Sequence, residues 1–347
     1  MTEQFEPKIP SSGVNSPDSD VVPAPRSNRT SDLIDRIRES ADKLERDGSS
    51  RGDLKLLSRA IRELRYAFKV FGPYRNNPKV TVFGSARTPA SDPSFQMAVD
   101  FGRGIAARGW LVVTGAASGI MEAGHVGAGR EKSMGLNIML PFEQDANPII
   151  EGDSKLVHMK YFFTRKLMFV KECHAVVCFP GGFGTLDETL EVLTLLQTGK
   201  RELVPLVLAA PAGDDYWNGF HQFVVDQLLA DGMISPDDLS LYKVTHSVQE
   251  AIDDVIGFYR VYHSMRYVGE RLVLRLKQAP SSKLIDEINE RFREIVVDGR
   301  IELGSALPAE SDQHDLSELP RLIFCFDRRG HGQLREMINL INERAAK

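Results

Sequence analysis

Apolar positions along the chain change period more than once. Leu33, Ile34 and Ile37, then Leu54, Leu56, Leu57, Ile61, Leu64 and Phe68, recur at helical spacing. This predicts two amphipathic helices with a break near Gly52. The second carries Arg59, Arg62, Arg65 and Lys69, which reads as a solvated basic face, with a subunit interface or an anion site as the sharper options. From residue 79 onward, short apolar runs alternate with helical stretches. Strands are expected at Lys79–Phe83, Trp110–Thr114, Leu136–Leu140, Ala175–Phe179 and Val204–Ala209. Helices are expected at Phe95–Arg108, Ile120–Gly129, Phe162–Lys171, Leu186–Leu196 and Tyr216–Ala230. Strands that are near-continuous apolar runs, separated by helices, imply a parallel sheet covered on both faces, an α/β Rossmann-like fold.

A long helix over Val248–Met265 is expected to close that sheet. A different pattern follows, with strands at Arg271–Leu276 and Arg321–Phe326, helices at Ser281–Ile295 and Gln333–Ala345, and a loop over Leu303–Leu319. The organisation expected is therefore a disordered tail over residues 1–30, rich in Pro, Ser, Asn and Asp, then N-terminal helices over 31–76. A Rossmann-like nucleotide-binding domain follows over 77–266, and a small α+β appendage over 267–347. The appendage shows no catalytic motif, so packing, oligomerisation or regulation is its expected role.

Composition narrows the function classes. Among 347 residues, 42% are hydrophobic and 26% charged, which allows a sizeable core. The formal net charge of -5 offers no general basic surface, so nucleic-acid binding is not expected. Three cysteines, Cys173, Cys178 and Cys325, lack paired spacing and argue against a disulfide framework or a structural zinc. Cys173 and Cys178 flank an apolar strand and read as buried, inert thiols. With no apolar run of membrane-spanning length and no secretory h-region, a cytoplasmic protein without a membrane partner is expected.

Three strand ends carry small residues: Gly84-Ser85-Ala86-Arg87, Gly115-Ala116-Ala117-Ser118-Gly119 and Gly181-Gly182-Phe183-Gly184-Thr185. Glycines there let backbone N–H groups approach an anion, and the following helix adds its N-terminal partial charge. Thr185 offers a hydroxyl and a helix cap. Any one such turn reads most simply as a plain turn, whereas three converging on one sheet edge point to a phosphate site. The dinucleotide fingerprint G-x-G-x-x-G is missing. Gly124–Gly129 has P-loop spacing, but Arg130 and Glu131 replace the Lys and Ser/Thr and the stretch lies inside a helix. His125 reads as a packing or surface residue, and neither Ser-His-Asp chemistry nor metal ligation has the partners it needs.

Asp187 and Glu188 fall in a helix first turn, where the dipole stabilises an acid whatever its role. A carboxylate beside an anion cradle is nevertheless costly unless it meets positive charge, such as the oxocarbenium-like sugar of a breaking glycosidic bond. Arg165-Lys166 form a second charged element suited to phosphate or carboxylate. Glu122, in the first turn after Gly119, is placed to accept hydrogen bonds from a ribose or simply to meet the dipole.

These residues resemble the LOG family, also labelled lysine-decarboxylase-like, whose hallmark is P-G-G-x-G-T-x-x-E with an upstream Arg-Lys pair. Pro180 to Glu188 matches every fixed position, Arg165-Lys166 matches the pair, and the resemblance runs from about Lys79 to Tyr262. Family members are phosphoribohydrolases that release a base from nucleoside 5′-monophosphates, including cytokinin ribotides and often AMP. The resemblance implies that Arg165 and Glu188 are catalytic. It implies that Gly181, Gly182, Gly184 and Thr185 hold the 5′-phosphate, that Ser85 and Lys166 lie near the same ligand, and that Glu122 lies beside the nucleotide. It also implies a homodimer or higher homo-oligomer and no cofactor.

The chain departs from the family at its second turn. Gly115-Ala116-Ala117-Ser118-Gly119 stands where relatives often read G-G-G-P-G, and the two added methyl groups are expected to restrict how closely a ligand lies. With its added terminal segments the chain resembles the extended bacterial forms of the family. Decarboxylation would need pyridoxal phosphate on a Schiff-base lysine, and Lys166 beside Arg165 is already explained by the hydrolase reading. The expected activity is cleavage of the N-glycosidic bond to free base and ribose 5-phosphate. The alternative is a nucleotide-binding sensor or carrier that uses the cradle without turnover.

Overall fold

The computed structural model describes residues 30–140, 145–310 and 314–345. Of the tail expected over residues 1–30, residues 1–29 lie outside them. The described chain divides into two compact units, with the division at Ser58/Arg59. In the first, helix α1 (Ser31–Arg46) and the start of α2 (Arg51–Phe71) hold their polar faces with short-range pairs such as Lys43 to Glu39 at 2.7 Å. The break falls at residues 47–50 rather than at Gly52. There the Ser50 amide and hydroxyl both reach the Asp53 carboxylate, a capping arrangement that starts α2 one residue before the glycine.

The second unit is built on a seven-stranded parallel sheet. Its strands are β1 (Lys79–Phe83), β2 (Leu111–Thr114), β3 (Ser133–Ile138), β4 (Leu156–Met159), β5 (Ala175–Cys178), β6 (Leu206–Ala209) and β7 (Lys243–Thr245). Their order is β4-β3-β2-β1-β5-β6-β7. The chain winds outward from β1 to β4, then crosses back to β5 and winds the other way, so the switch point lies between β1 and β5. β4 and β7 were missed because four- and three-residue edge strands carry too little pattern to separate from loops.

Burial on both faces explains the largely apolar strands. Val80 and Val82 of β1 pack with Phe101 and Ile105 of α3 (Pro93–Ala106) and Ile252 and Val255 of α8 (Val248–Phe258). Phe83 and Val176 face the opposite way, with Met168 and Phe169 of α5 (Phe162–Glu172) and Val192 and Leu196 of α6 (Phe183–Gln197). The glycine stretch inside α4 (Ile120–Ala128) has a packing role. A Cβ on Gly127 would stand 2.0 Å from the Val99 carbonyl oxygen, so α3 and α4 touch backbone to backbone.

The long helix expected over Val248–Met265 is not formed. α8 ends at Phe258, and β8 (Tyr262–Val268) begins a four-stranded antiparallel sheet ordered β10-β11-β9-β8, with β9 (Arg271–Leu276), β10 (Val296–Gly304) and β11 (Arg321–Phe326). The apolar spacing over 248–265 fits both periods, and pairing with β9 decides for the strand. The N-terminal end of the loop expected over Leu303–Leu319 closes β10, and Glu310 within it is buried between Arg275 at 2.6 Å and Arg321 at 3.3 Å. The last helix, α10 (His331–Arg344), turns back to the parallel sheet unit. Asn342 accepts from the amides of Val261 and Tyr262 and donates to the Phe258 carbonyl at 2.6 Å.

Candidate active site

At the β1/β5 switch point, strand C-terminal ends meet helix N-termini, the place where open α/β sheets bind ligands. A cavity of about 810 Å³ opens there, lined by Gly84–Arg87 after β1, Gly115 after β2, Met121 of α4, Arg165 and Phe169 of α5, and Gly181–Leu186 with Glu188 after β5. All three glycine-bearing turns contribute to its wall. Neighbouring turns are fastened directly: the Ser85 amide donates to the Pro180 carbonyl at 3.1 Å, and the Ile120 amide to the Ser85 carbonyl at 3.0 Å.

Two kinds of glycine occur in the cradle. A Cβ on Gly181 would lie 2.2 Å from Thr185 Oγ1 and 2.9 Å from the Ser85 amide, so this position is a matter of internal packing. At Gly182 and Gly184 a Cβ would meet no protein atom within 4 Å; both face the open cavity. α6 begins at Phe183, three residues earlier than expected, with Gly182 as its N-cap and no side-chain cap. Thr185 is therefore not the cap. It is buried in the first turn, and the amides of Phe183 and Gly184 precede the first intrahelical bonds, which run from Thr185 and Leu186 to the Gly182 carbonyl. Such unpaired amides at a helix N-terminus form an anion site.

Glu188 stands one turn further along α6, only 5% exposed. Burial pushes its pKa up to about 7, against the pull of Lys166 and Arg165, and Glu191 and Asp187 push in the same direction as burial. Lys166 Nζ lies 2.9 Å from Asp187, 2.9 Å from Glu191 and 3.6 Å from Glu188. Lys166 is thus held by carboxylates behind the cavity and is not among the lining residues. Arg165 lines the cavity between the Phe162 and Phe169 rings, 5.0 and 5.6 Å from their centroids. Its pKa is lowered by burial despite Glu188 and Asp187, and its Nε has no hydrogen-bond partner among the described residues. A desolvated guanidinium with a free donor is a ready partner for an anionic oxygen.

The helix that presents Arg165 is pinned at its start by Glu63 of α2. The buried Glu63 carboxylate accepts from Thr164 Oγ1 at 2.8 Å and from the Lys160 amide at 3.0 Å, and also pairs with Arg59 at 2.8 Å. Burial would raise its pKa, but these donors outweigh it and hold it below the usual carboxylate value.

Of the residues singled out from sequence, Ser85, Arg165, Gly181, Gly182, Gly184, Thr185 and Glu188 surround one cavity. Glu122 does not line it; its neighbour Met121 does. Neither of the two methyl groups expected to narrow the second turn lines the cavity: Ala116 is fully buried, packed with Ala146, Ile150 and Leu156, in a left-handed conformation with φ 60°, and half-buried Ala117 lies outside the wall. Two polar lining residues, Arg87 and Tyr216, had been given no role from sequence. Arg87 adds a cation, and a charge two positions after Ser85 in the same turn was its signal. Tyr216, whose hydroxyl donates to the Gly181 carbonyl at 2.6 Å, arrives from beyond β6 with no local motif to mark it. His125 is buried between Thr114 and Asn147 with its pKa lowered to about 4 by burial. Burial pushes the Cys178 thiol up to about 12, so it is inert. Among the described residues no cluster of His, Cys, Asp and Glu could hold a metal ion, and no helix is long and apolar enough to cross a membrane.

Fold and site together define a doubly wound α/β domain with a glycine-lined cradle at its switch point and a buried carboxylate beside it. Residues 114–255 match the family described as "Possible lysine decarboxylase". The chain is 33% identical over 103 residues to the rice (Oryza sativa subsp. japonica) protein named "Probable cytokinin riboside 5'-monophosphate phosphoribohydrolase LOGL3", covering 28% of this chain and 44% of that one. It is 31% identical over 127 residues to the Escherichia coli (strain K12) pyrimidine/purine nucleotide 5'-monophosphate nucleosidase, covering 34% of this chain and 28% of that one. It is 26% identical over 176 residues to the Mycobacterium tuberculosis cytokinin riboside 5'-monophosphate phosphoribohydrolase, covering 48% of this chain and 88% of that one. The chain thus spans less than half the length of the first two. Among solved structures, a molybdenum cofactor carrier protein from Chlamydomonas reinhardtii matches over 52% of this chain and 96% of its own, at 21% identity and a TM-score of 0.38. The resemblance to the LOG family read from the Pro180–Glu188 motif is borne out by the family match and the curated relatives.

Proposed function

We propose that this protein is a nucleoside 5′-monophosphate phosphoribohydrolase, which adds water across the N-glycosidic bond to give a free base and ribose 5-phosphate. The observation that carries the reading is the position of Glu188, a buried carboxylate with a pKa raised to about 7 beside a glycine cradle built for an anion. A pure phosphate binder gains nothing from an acid there, whereas glycosidic cleavage generates positive charge at the sugar. The names of the relatives as phosphoribohydrolases and a nucleosidase support the same chemistry.

In this reading the amides of the Gly182–Gly184 turn and Thr185 hold the 5′-phosphate, with Ser85 on the facing turn. The C1′–N bond breaks as the ring oxygen's electrons delocalise toward C1′, and ionised Glu188 stabilises the oxocarbenium-like sugar. Glu188 also orients the water, whose oxygen bonds to C1′ while its proton passes to the carboxylate. Its tuned pKa suits that exchange at neutral pH. Arg165 holds the nucleotide on the departing side, where the base leaves with its electron pair and takes up a proton. Cytokinin ribotide and AMP are the substrates to try first, and a homo-oligomer is the expected assembly.

The test is incubation of the full chain with AMP, isopentenyladenosine 5′-monophosphate and the common pyrimidine monophosphates, with chromatography of free base and ribose 5-phosphate. Release of base that is lost in Glu188→Ala supports the hydrolase. AMP binding without turnover, unchanged in Glu188→Ala, would make it a sensor or carrier.

A further inference from the structure

The opposite edge of the parallel sheet carries a second cavity of about 910 Å³ that the reading above does not use. Pro78, Trp110, His174 and Val204 in its wall immediately precede or begin the approach to β1, β2, β5 and β6, so it lies at the strand N-terminal ends. Tyr262, His263 and Ser264 of β8 and Lys277 after β9 complete it.

Its electrostatics are lopsided. Lys171, Lys200, Arg201 and Lys277 line it against one carboxylate, Glu202, with Lys171 also paired to Glu172 at 2.5 Å. Two histidines in the wall are held neutral: burial, Lys79 and Arg201 bring His174 down to about 4, and burial, Lys277 and Arg275 lower His263. Two donors point to a missing acceptor. The Tyr262 hydroxyl, on a side chain only 1% exposed, and Arg201 Nε are both buried without a hydrogen-bond partner among the described residues. Buried donors are ordinarily satisfied, so two orphans on wall residues leave room for an acceptor that the protein itself does not supply. Beside the cations stand three aromatic rings, with Trp110 and Tyr259 centroids 6.0 Å apart and Tyr259 and Tyr262 centroids 6.2 Å apart.

We infer that this cavity is a second ligand site, for an organic diphosphate or a similarly charged small molecule bearing a flat ring. Its phosphates would lie among Lys200, Arg201 and Lys277 and accept from the Tyr262 hydroxyl, with the ring against the aromatic wall. The site shares helix α5 with the first cavity, since Leu167, Val170 and Lys171 face it while Arg165 and Phe169 face the other.

Calorimetric titration of the full chain with inorganic pyrophosphate and with ADP tests this, in an Arg165→Ala background that weakens the first cavity. Both should bind, ADP more tightly because it adds the ring. Lys200→Glu should weaken both at least tenfold, the scale of one lost charge-assisted contact. Lys200 is exposed, so the folded state should tolerate the change, and an unaltered thermal unfolding midpoint checks it. Tyr262→Phe should weaken binding while keeping the ring. Absence of binding in Arg165→Ala, or binding unchanged by Lys200→Glu and Tyr262→Phe, overturns the site. Equal affinity for pyrophosphate and ADP overturns the ring.

Discussion

Lys166 Nζ lies 3.6 Å from the Glu188 carboxylate but 2.9 Å from those of both Asp187 and Glu191. One ammonium thus serves three carboxylates, and Glu188 has the weakest share of it. Burial lowers the lysine's pKa, but Glu191, Asp187 and Glu188 outweigh that and hold it above its ordinary value, so it stays charged across the neutral range. Glu188, with partial compensation and deep burial, is left titrating near 7. A fully paired carboxylate would be ionised far below that and a poor proton acceptor; an unpaired one would stay protonated.

A pH–rate profile checks this. If ionised Glu188 is needed, kcat/KM should rise with pH through an inflection near 7. Removing the Lys166 charge takes away an attraction that lowers the Glu188 pKa, so Lys166→Ala should move the inflection to higher pH. The substrate phosphate's second ionisation, near 6, would not move with the mutation. An inflection that stays put in Lys166→Ala would remove Glu188 from this role.

Stability should oppose activity at the same residue. The Glu188 pKa is raised in the folded state, so folding favours its protonated form. The contribution is fully present below the unfolded value near 4.5 and is lost as pH rises toward 7. The full difference is roughly 3 kcal/mol, reached above that window. Glu188→Gln mimics the neutral acid and should raise stability at pH 8 by up to that amount, with little gain at pH 4.5, while abolishing turnover. Denaturant unfolding at the two pH values reads both halves.

The cradle glycines should separate by role. Gly182→Ala and Gly184→Ala place a methyl group in open cavity and should leave the unfolding midpoint nearly unchanged while raising KM about tenfold or more. Gly181→Ala drives a methyl into Thr185 and the Ser85 amide, and should destabilise the fold by about 1–3 kcal/mol. Equal stability loss in all three variants would contradict the geometry.

Glu63 is expected to act at a distance. Glu63→Ala leaves the Thr164 hydroxyl and Lys160 amide without their acceptor and loosens the start of α5, at about 2–3 kcal/mol of stability. Because α5 carries Arg165, kcat should fall as well, and Glu63→Gln should restore much of both by keeping an acceptor oxygen. Loss of kcat with no change in the unfolding midpoint would be the wrong signature.

The parallel sheet was legible because its strands are buried on both faces, which leaves apolar runs such as Ala175–Cys178 and Leu206–Ala209 that need no tertiary knowledge to recognise. Edge strands β4 and β7 were not, and the 248–265 stretch, whose apolar spacing suits helix and strand alike, was divided only by pairing with β9. The Pro180–Glu188 segment similarly declares a glycine turn entering a helix, because that local geometry is set by residues a few positions apart.

What the chain alone determined, then, was the strand–turn–helix cradle, the acid following it and the Arg-Lys pair, all short-range features of composition and spacing. Tertiary structure decided the rest. It paired Lys166 with Asp187, Glu191 and Glu188 outside the cavity wall, packed Ala116 away from the cavity and left Glu122 outside its wall. It also brought Tyr216 to Gly181 across 35 positions. These outcomes depend on which way side chains face and how much water is removed around them. A pKa near 7 for Glu188 arises from that exclusion of water, a property of the packed fold that no local stretch of sequence contains.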